Sequence, residues 1–327
     1  MNRKRVIMIL FLVLVIVIVA CLVKKCSDDN SNDKKQQQKE DSYVSKDDAE
    51  HDLQDIEYNG ETYEYDYDVT NILFLGVDNA GEVQEYEEGH AGQSDTLILL
   101  SMNAKTKSTT MLEISRDSMV DVDVYDRNDK LLGKERMQIA AQFAYGDGKD
   151  KSCYRSSKAV SALLWGIPVD SYIALNVDGI AEITEEIGGV EITVPEDYTY
   201  IEPEFKKGAT LVLKGEAAER YVRYRDTSVT GSNNARMQRQ TQFLEALALQ
   251  LAGKDVAWYQ NLQEEAGEYI TTDLEVEELE SLVNYTMLEE AVIVPGEVQE
   301  GEKHDEFIVD NEKLQEIIVK LFYKLKK

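Results

Sequence analysis

The chain has 327 residues, of which 43% are hydrophobic, and this length is enough for one large domain or two small ones. Its 63 acidic and 35 basic residues give a formal net charge of −28, which argues against a nucleic-acid partner because such binding depends on cations that neutralise phosphates. The 4 prolines, 19 glycines and 3 cysteines exclude a collagen-like chain and a disulfide scaffold.

The N-terminus carries the pattern of a membrane anchor. Residues 6–23 are an unbroken run of 18 apolar residues that directly follows Arg3, Lys4 and Arg5. A helix of that length spans about 27 Å, close to the roughly 30 Å hydrocarbon core of a bilayer. Because basic residues stay on the cytoplasmic side, we predict a cytoplasmic tail over residues 1–5, a transmembrane signal-anchor helix over 6–23 and an extracytoplasmic body.

One alternative at the same position is a processed leader. Residues 18–21 loosely resemble a lipoprotein processing box, in which Cys21 would carry the lipid. We favour the uncleaved helix because the apolar residues continue through Cys21 to Val23. Both interpretations leave the rest of the chain outside the cytoplasm.

Residues 24–68 are polar and dense in charge. We predict that they form an extracytoplasmic stalk that separates the domain from the lipid surface. The tyrosine-bearing end, residues 58–67, could instead dock on the domain as an edge strand.

The segments that follow predict a sheet. Residues 71–77 are a continuous apolar run, which is typical of a strand buried on both faces. Residues 96–101 and 110–115 form two further short strands, and the polar segment between them has the composition of a hairpin turn.

Helices then alternate with strands. The predicted helices cover residues 156–164, 178–187, 215–221, 235–251, 274–288 and 311–325. The predicted strands cover residues 172–176, 190–194 and 291–294, with a hairpin-like stretch that ends near Leu213. This alternation favours a layered α/β sheet, and the lack of an internal linker favours one domain over residues 69–327.

Several catalytic motifs are absent from the sequence. There is no Gly-x-Ser-x-Gly elbow, no Walker loop, no His-Glu-x-x-His and no Cys-x-x-Cys. Cys153 is the one cysteine of the predicted domain, and we expect an unreactive free thiol there.

Arginine is concentrated at a few positions of this acidic chain. The candidates follow a strand, lie in the segment 221–225 or open the long helix, and they are Arg116, Arg223, Arg225, Arg236 and Arg239, with Gln240 beside them. Planar guanidinium groups bind phosphate oxygens in pairs, so their convergence would form a phosphate clamp. The alternative is that these arginines only pair with the chain's own carboxylates.

Two aspartates lie where strands begin or end. Asp78 follows the first strand and Asp95 precedes the second, so both could meet at one rim of the sheet. Mg²⁺ is commonly held by one or two carboxylates together with waters and substrate phosphate oxygens. The pattern therefore permits a magnesium site.

Nine short motifs follow one another between residues 71 and 251. They occupy residues 72–78, 94–96, 114–117, 143–146, 166–170, 187–195, 213–217, 221–225 and 236–240. Each motif is weak alone, but their order and spacing resemble the LytR-CpsA-Psr family of cell-envelope proteins.

This resemblance implies a membrane anchor and an α/β/α fold around a mixed sheet. It also implies an enzyme that transfers an anionic glycopolymer, of the teichoic acid or capsule type, from polyprenyl pyrophosphate to peptidoglycan. By position in the motifs, Asp78 and Asp95 would hold Mg²⁺, and the pyrophosphate would contact Arg116, Arg223, Arg225, Arg236 and Gln240. Arg239 also matches the motif, and its role is less defined.

Three positions depart from the family pattern. Ser115 stands where the family commonly has proline, and Gln138 and Ala140 replace the usual lysine and asparagine. We expect the serine to change only backbone stiffness. The other two replacements could change polymer selectivity or weaken a phosphate contact.

The implied reaction is attack of a peptidoglycan hydroxyl on the glycan-side phosphorus, with release of polyprenyl phosphate. Arg116 would neutralise charge at the phosphoryl group, and Asp95 or Asp117 would accept the hydroxyl proton. The rivals are a hydrolase that uses water on the same lipid and a non-catalytic envelope sensor or binding module. The sequence does not predict an oligomeric state.

Overall fold

The computed structural model describes residues 53–79, 81–87, 89–226, 228–251, 267–274, 285–287, 291–302 and 304–326. Within these ranges, no helix combines the length and the apolar composition needed to cross a bilayer. The predicted anchor over residues 6–23 lies outside the described residues.

Strands and helices alternate over most of the described chain. The strands are β1 (Ile56–Tyr58), β2 (Glu61–Tyr65), β3 (Val69–Val77), β4 (Ser94–Asn103), β5 (Ser108–Ile114), β6 (Met119–Tyr125), β7 (Leu131–Gln138), β8 (Ser171–Asn176), β9 (Val190–Thr193), β10 (Thr210–Leu213), β11 (Ile270–Thr272), β12 (Thr286–Met287), β13 (Val292–Ile293), β14 (Gly296–Glu300), β15 (Asp305–Val309) and β16 (Tyr323–Leu325). The α-helices are α1 (Asp150–Leu163), α2 (Gly179–Glu186), α3 (Glu216–Arg223), α4 (Ser232–Leu251) and α5 (Asn311–Phe322). Two 3-10 helices cover Ile139–Tyr145 and Gly267–Tyr269.

The central sheet is mixed, as predicted. Its strand order is β11-β8-β3-β4-β5-β12, and β13 also pairs with β5. The pairs β3–β8, β5–β12 and β5–β13 are parallel, whereas β3–β4, β4–β5 and β8–β11 are antiparallel.

Helices cover both faces of this sheet, which explains the continuous apolar run of β3. Ile72 and Phe74 belong to one hydrophobic cluster, together with buried residues of α2, α3 and α4. Leu73 and Leu75 point the other way, into a cluster that includes buried residues of α1 and α5. The layered arrangement predicted from the alternation of elements is therefore confirmed.

The predicted stalk boundary at residue 68 needs correction. β1 and β2 form an antiparallel pair, and β2 also pairs with the C-terminal strand β16. The alternative of a docked edge strand therefore holds for this end of the stalk, and residues 56–65 belong to the folded body. The reason is the pairing partner, which lies at the other end of the chain and supplies backbone hydrogen bonds.

Two C-terminal predictions also change. The predicted helix over residues 311–325 ends at Phe322, because Tyr323–Leu325 extends to pair with β2. The predicted helix over 274–288 lies largely outside the described residues, and its end forms strand β12 instead.

Candidate functional site

Three strand ends meet at one edge of the central sheet. β3 and β5 finish there, whereas the antiparallel β4 begins there. In the β4–β5 ladder Leu97 lies opposite Ile114, so the same register brings Asp95 level with Arg116. Asp78 follows β3 at the same edge, which brings together three residues that the sequence analysis had selected.

A β-bulge sets the direction of the chain before Asp78. The ladder shifts register between Gly76 and Val77, and the Asp78 backbone N–H then donates to the Gln93 carbonyl at 3.0 Å. A Cβ on Gly76 would lie 2.8 Å from the Thr96 hydroxyl oxygen, so glycine is required for this close approach.

Asp95 holds two arginines from different elements. Arg116 contacts one carboxylate oxygen, and Arg236 of α4 donates to the other at 2.6 Å. Arg236 also donates to Asn233 Oδ1 at 2.6 Å. Burial lowers the pKa of Arg236, and the charge of Asp95 partly offsets this effect. The pair fixes the first turns of α4 against the edge of the sheet.

A second cluster surrounds Asp117. Arg225 Nη1 lies 3.4 Å from Asp117 Oδ1, and Arg116 Nε lies 3.7 Å from the same oxygen. Arg225 Nη2 also contacts Asp305 Oδ2 at 3.1 Å, and the Gly231 N–H donates to that oxygen at 3.0 Å. Burial raises the pKa of Asp117, with Arg225 and Arg116 acting against this rise. Asp117 is buried and serves to orient the two guanidinium groups.

Arg223 reaches the opposite side of the strand ends. Its Nη2 donates to Asp78 Oδ1 at 2.6 Å, and its Nη1 donates to Glu219 one turn earlier in α3 at 2.9 Å. Both partners of the Arg223–Asp78 pair are exposed to solvent. This pair therefore lies on the accessible side of the cluster.

The predicted residues of α4 lie on two different faces of that helix. Arg236 and Gln240 lie on the face toward the sheet edge, as their spacing predicted. Arg239 is only 1% exposed, and its guanidinium donates to the backbone carbonyls of Tyr221, at 2.7 Å, and of Tyr224. Its Nη1 donates to the Ala235 carbonyl at 3.2 Å, so the role that the structure shows for Arg239 is to hold the end of α3 against α4.

The three departures from the family pattern make local contacts. The Ser115 hydroxyl accepts from Asn233 Nδ2 at 3.2 Å, so this serine joins β5 to α4 and does more than change backbone stiffness. Gln138 Nε2 donates to Asp117 Oδ1 at 2.8 Å and to a carbonyl of β15 at 2.9 Å. Ala140 is fully buried below the cluster.

An apolar cavity of about 770 Å³, counted with the open space at its mouth, begins at this edge of the sheet. Its mouth carries Asp78, Asp95, Arg223 and Gln240. The walls are supplied by β3, β8, α2, α3 and α4, and include Phe74, Leu175, Ile180, Ile183, Val222, Phe243, Leu244 and Leu247.

Two buried polar side-chain atoms of α4 lack a partner. Within the described part of the chain, neither Arg236 Nε nor Gln240 Oε1 makes a hydrogen bond. Leaving a buried donor or acceptor unsatisfied costs about 1–3 kcal/mol, so such atoms mark places where a ligand or water is expected.

The side chains at the cavity mouth that could coordinate a divalent cation are two carboxylates. Asp78 and Asp95 both line the cavity mouth, and no group of three His, Cys, Asp or Glu side chains within metal-binding distance occurs among the described residues. Two carboxylates are sufficient for Mg²⁺ when substrate phosphate and water complete its shell. The residues therefore fit that ion in the presence of a phosphorylated ligand.

Sequence reasoning missed two residues of the cluster. Asn233 lies one turn before Arg236 in α4, a spacing that could have suggested the contact. Asp305 lies 80 residues after Arg225 in a polar, acidic segment, and no local signal distinguishes it.

The α/β/α body has a cavity with apolar walls and a mouth that carries Arg223, Asp78 and Asp95. This class of site suits an anionic head group joined to an apolar chain. Comparison with known proteins then gives the family. The LytR_cpsA_psr family model matches residues 21–322, and the chain belongs to this family.

Individual relatives agree with this assignment. The chain is 29% identical over 211 residues to the polyisoprenyl-teichoic acid–peptidoglycan teichoic acid transferase TagU of Halalkalibacterium halodurans, covering 64% of this chain and 62% of that protein. It is 30% identical over 216 residues to the transferase TagV of Bacillus subtilis, covering 64% of this chain and 50% of that protein. A solved structure of TagT bound to LIIa-WTA matches with a TM-score of 0.58 and 25% identity, covering 79% of this chain and 92% of the other. The matches to TagU and TagV thus span 62% and 50% of those relatives' length.

Proposed function

We propose that this protein transfers an anionic glycopolymer, of the teichoic acid or capsule type, from a polyprenyl pyrophosphate carrier to peptidoglycan. Membership of the family and the transferase activities of TagU and TagV support the reaction class. The observation that carries the proposal is the apolar cavity with Arg223, Asp78 and Asp95 at its mouth. Beside it, Arg236 contacts Asp95 and keeps a buried donor atom unpaired.

The cavity suits the lipid part of the carrier. Its walls are hydrophobic side chains of the sheet and of three helices, so a prenyl chain would gain free energy by leaving water there. An anchor over residues 6–23 would hold the same cavity close to the lipid surface, which is the extracytoplasmic face of the cell membrane in this proposal.

The arginines suit the pyrophosphate. Arg116, Arg236 and Arg225 lie within one network of carboxylates, and Arg223 lies at the cavity mouth. Phosphate oxygens would replace some of these carboxylate contacts, because guanidinium groups bind both anions with the same fork geometry. Charge neutralisation and positioning are the main contributions that a protein makes to phosphoryl transfer.

The chemical step joins an acceptor hydroxyl oxygen to the glycan-side phosphorus. The bond that breaks is the one from this phosphorus to the bridging oxygen, and polyprenyl phosphate leaves with that oxygen. The hydroxyl proton passes to a carboxylate, Asp95 or Asp117. Asp117 is buried between Arg116 and Arg225 and also orients them.

Asp78 and Asp95 would hold Mg²⁺ in this proposal. When bound, the ion would neutralise negative charge on the phosphate oxygens. The two side chains would exchange part of their arginine contacts for the ion, and the arginines would then be free for phosphate.

The test uses the full-length chain in detergent with a synthetic polyprenyl-pyrophosphate disaccharide and a soluble peptidoglycan acceptor. Turnover is measured with Mg²⁺ and with EDTA, beside Arg116→Ala and Asp95→Ala. Arg220→Ala is the control. Arg220 is also an arginine, but it pairs with Glu216 and Glu202 and does not line the cavity. We expect Mg²⁺-dependent attachment of the saccharide to the acceptor, lost in both site variants and kept in the control.

The rival functions give different products. Free glycan phosphate, with no attachment under any acceptor condition, would assign a hydrolase. Tight binding of the lipid without turnover would assign a binding module. Equal activity of wild type and Arg116→Ala would remove the arginine cluster from the reaction.

A further inference from the structure

A second cavity lies beside the arginine cluster. Its volume is about 600 Å³, counted with the open space at its mouth, and it is lined by Tyr200, Tyr224, Arg225, Asp226, Val229, Ser232, Ala235 and Arg239. It shares no lining residue with the apolar cavity, yet Arg223 lines the first cavity and the next residue, Tyr224, lines the second. The end of α3 therefore separates two cavities of different chemistry.

Two tyrosine rings dominate this second cavity, which we call the tyrosine groove. Tyr200 is 54% exposed and Tyr224 is 37% exposed, their ring centroids are 5.7 Å apart and their planes are inclined by 57°. The buried Tyr198 packs edge-on against Tyr200, with 6.2 Å between the centroids. Adjacent exposed aromatic rings that pack against a buried ring are typical of a binding surface.

Arg239 supports both sides of the tyrosine groove. Its guanidinium lies 5.1 Å from the centroid of the Tyr198 ring and donates to the backbone carbonyl of Tyr224. Because Arg239 is buried, these contacts hold the backbone of Tyr224 and the ring of Tyr198, against which Tyr200 packs. A rigid aromatic surface loses little conformational entropy when it binds a ligand.

The rim of the tyrosine groove is polar. Arg225 Nε donates to the Ser232 hydroxyl at 3.2 Å, and the Asp226 carboxylate accepts from the Ser228 hydroxyl at 2.6 Å. Flat apolar faces beside hydroxyl, carboxylate and guanidinium groups match a pyranose ring, which has apolar C–H faces and a circumference of hydroxyl groups.

We propose that the tyrosine groove binds sugar rings of the acceptor glycan and presents one of their hydroxyl groups to the phosphorus held at the arginine cluster. This inference rests on the proposed transferase function. In phosphoryl transfer the attacking and leaving oxygens lie roughly in line on opposite sides of the phosphorus. If the leaving lipid phosphate lies at the apolar cavity, the attacking hydroxyl must come from another cavity, and Arg225 joins the tyrosine groove to the cluster.

The first experiment measures binding without turnover. A synthetic peptidoglycan tetrasaccharide is titrated into the full-length chain in detergent by calorimetry. We expect binding to wild type, an about tenfold weaker affinity for Tyr200→Ala and Tyr224→Ala, and recovery with Tyr200→Phe and Tyr224→Phe, since the ring faces carry the contact. Tyr67→Ala is the matched control, because Tyr67 is an exposed tyrosine outside the groove. Equal binding by wild type and both alanine variants would overturn the proposal.

The second experiment separates this inference from the transferase function. Acceptor KM, donor KM and donor cleavage by water are measured for the same variants. We expect the alanine variants to raise acceptor KM about tenfold, while donor KM and donor cleavage stay unchanged. A change confined to donor KM would overturn the proposal by assigning the groove to the donor saccharide. If wild type fails to transfer at all, the transferase function fails, and the binding result still decides whether the groove recognises saccharide.

Discussion

Two of the arginine–aspartate pairs near the cavity mouth have the same contact length and different surroundings. In the Arg236–Asp95 pair the contact is 2.6 Å and the side chains are 4% and 16% exposed. In the Arg223–Asp78 pair the contact is also 2.6 Å, but the side chains are 45% and 42% exposed. Water screens the second pair and is largely excluded from the first.

Burial, and not contact length, decides what each pair contributes to stability. An exposed pair contributes up to about 1 kcal/mol to stability, whereas removal of one partner from a buried pair costs about 3–5 kcal/mol. The buried pair therefore fixes α4 on the sheet edge. The exposed pair can exchange its carboxylate for a ligand phosphate at small cost.

The largest expected effect is that of Arg236→Ala. Loss of this side chain leaves Asp95 with Arg116 alone and leaves Asn233 Oδ1 without its donor. We expect a loss of about 3 kcal/mol, seen as a Tm lower by about 8 °C, together with loss of transfer. Differential scanning calorimetry measures the first effect. A Tm within about 1 °C of wild type would show that the buried pair does not hold α4.

Asp305→Ala tests a pair of intermediate burial. Asp305 binds both Arg225 Nη2 and the Gly231 N–H, so its removal loosens the loop before α4 as well as the arginine. We expect a loss of about 2 kcal/mol in urea unfolding and a fall in kcat. Glu306→Ala is the control, because consecutive side chains of a strand point to opposite faces. Equal effects of the two substitutions would contradict a specific role of Asp305.

Glu113→Gln tests a buried carboxylate that forms no ion pair within the described residues. Glu113 lies buried on β5, where its carboxylate accepts from the Thr241 hydroxyl at 2.5 Å. Burial raises its pKa, and the nearby Glu245 raises it further despite the hydrogen bond. A raised folded-state pKa favours the neutral form, so stability is greatest below the unfolded-state pKa and falls as the pH rises through the folded one.

The glutamine variant should remove this pH dependence. We expect its Tm to exceed that of wild type by about 2 °C at pH 7.5, and the difference to vanish near pH 4 as Glu113 becomes neutral in wild type. Thermal melts across this pH range measure it. If wild type instead had the higher Tm at pH 7.5 and lost this advantage toward pH 4, the carboxylate would be stabilised by a charge partner.

Local patterns predicted the parts of the fold that depend on neighbouring residues. The apolar run of β3, the short strands β4 and β5 and the long helix α4 follow from periodicity and turn residues. The pairing of Tyr65 in β2 with Tyr323 in β16 joins positions 258 residues apart. The periodicity of apolar residues in the sequence does not predict such a pairing. For this reason the predicted stalk extended too far into the domain.

The site residues that follow a local sequence pattern were predictable, and those that depend on distant pairing were not. Asp78, Asp95 and Arg116 come together because strand ends that were visible in the sequence share one edge of the sheet. Arg239 differs from its neighbour Gln240 by one helical step of about 100°, which turns it from the cavity to the end of α3. Asp305 reaches Arg225 only through the pairing of distant segments, so its role depends on tertiary structure.

The smallest expected effect on stability is that of Arg223→Ala, and it separates stability from function most clearly. The Arg223–Asp78 pair is screened by water, so we expect unfolding to change by less than about 1 kcal/mol. Arg220→Ala, on the same helix and equally exposed, should behave alike in unfolding.

The two variants should differ in turnover. Arg223 lines the cavity mouth, whereas Arg220 pairs with Glu216 and Glu202 on the outside of α3. We expect Arg223→Ala to lower kcat/KM for the lipid donor about tenfold to a hundredfold, as for removal of one charge-assisted phosphate contact, while Arg220→Ala stays at the wild-type value. Steady-state kinetics with varied donor measure this. If both variants keep full activity, the exposed pair takes no part in binding pyrophosphate, and the reaction depends on the buried arginines alone.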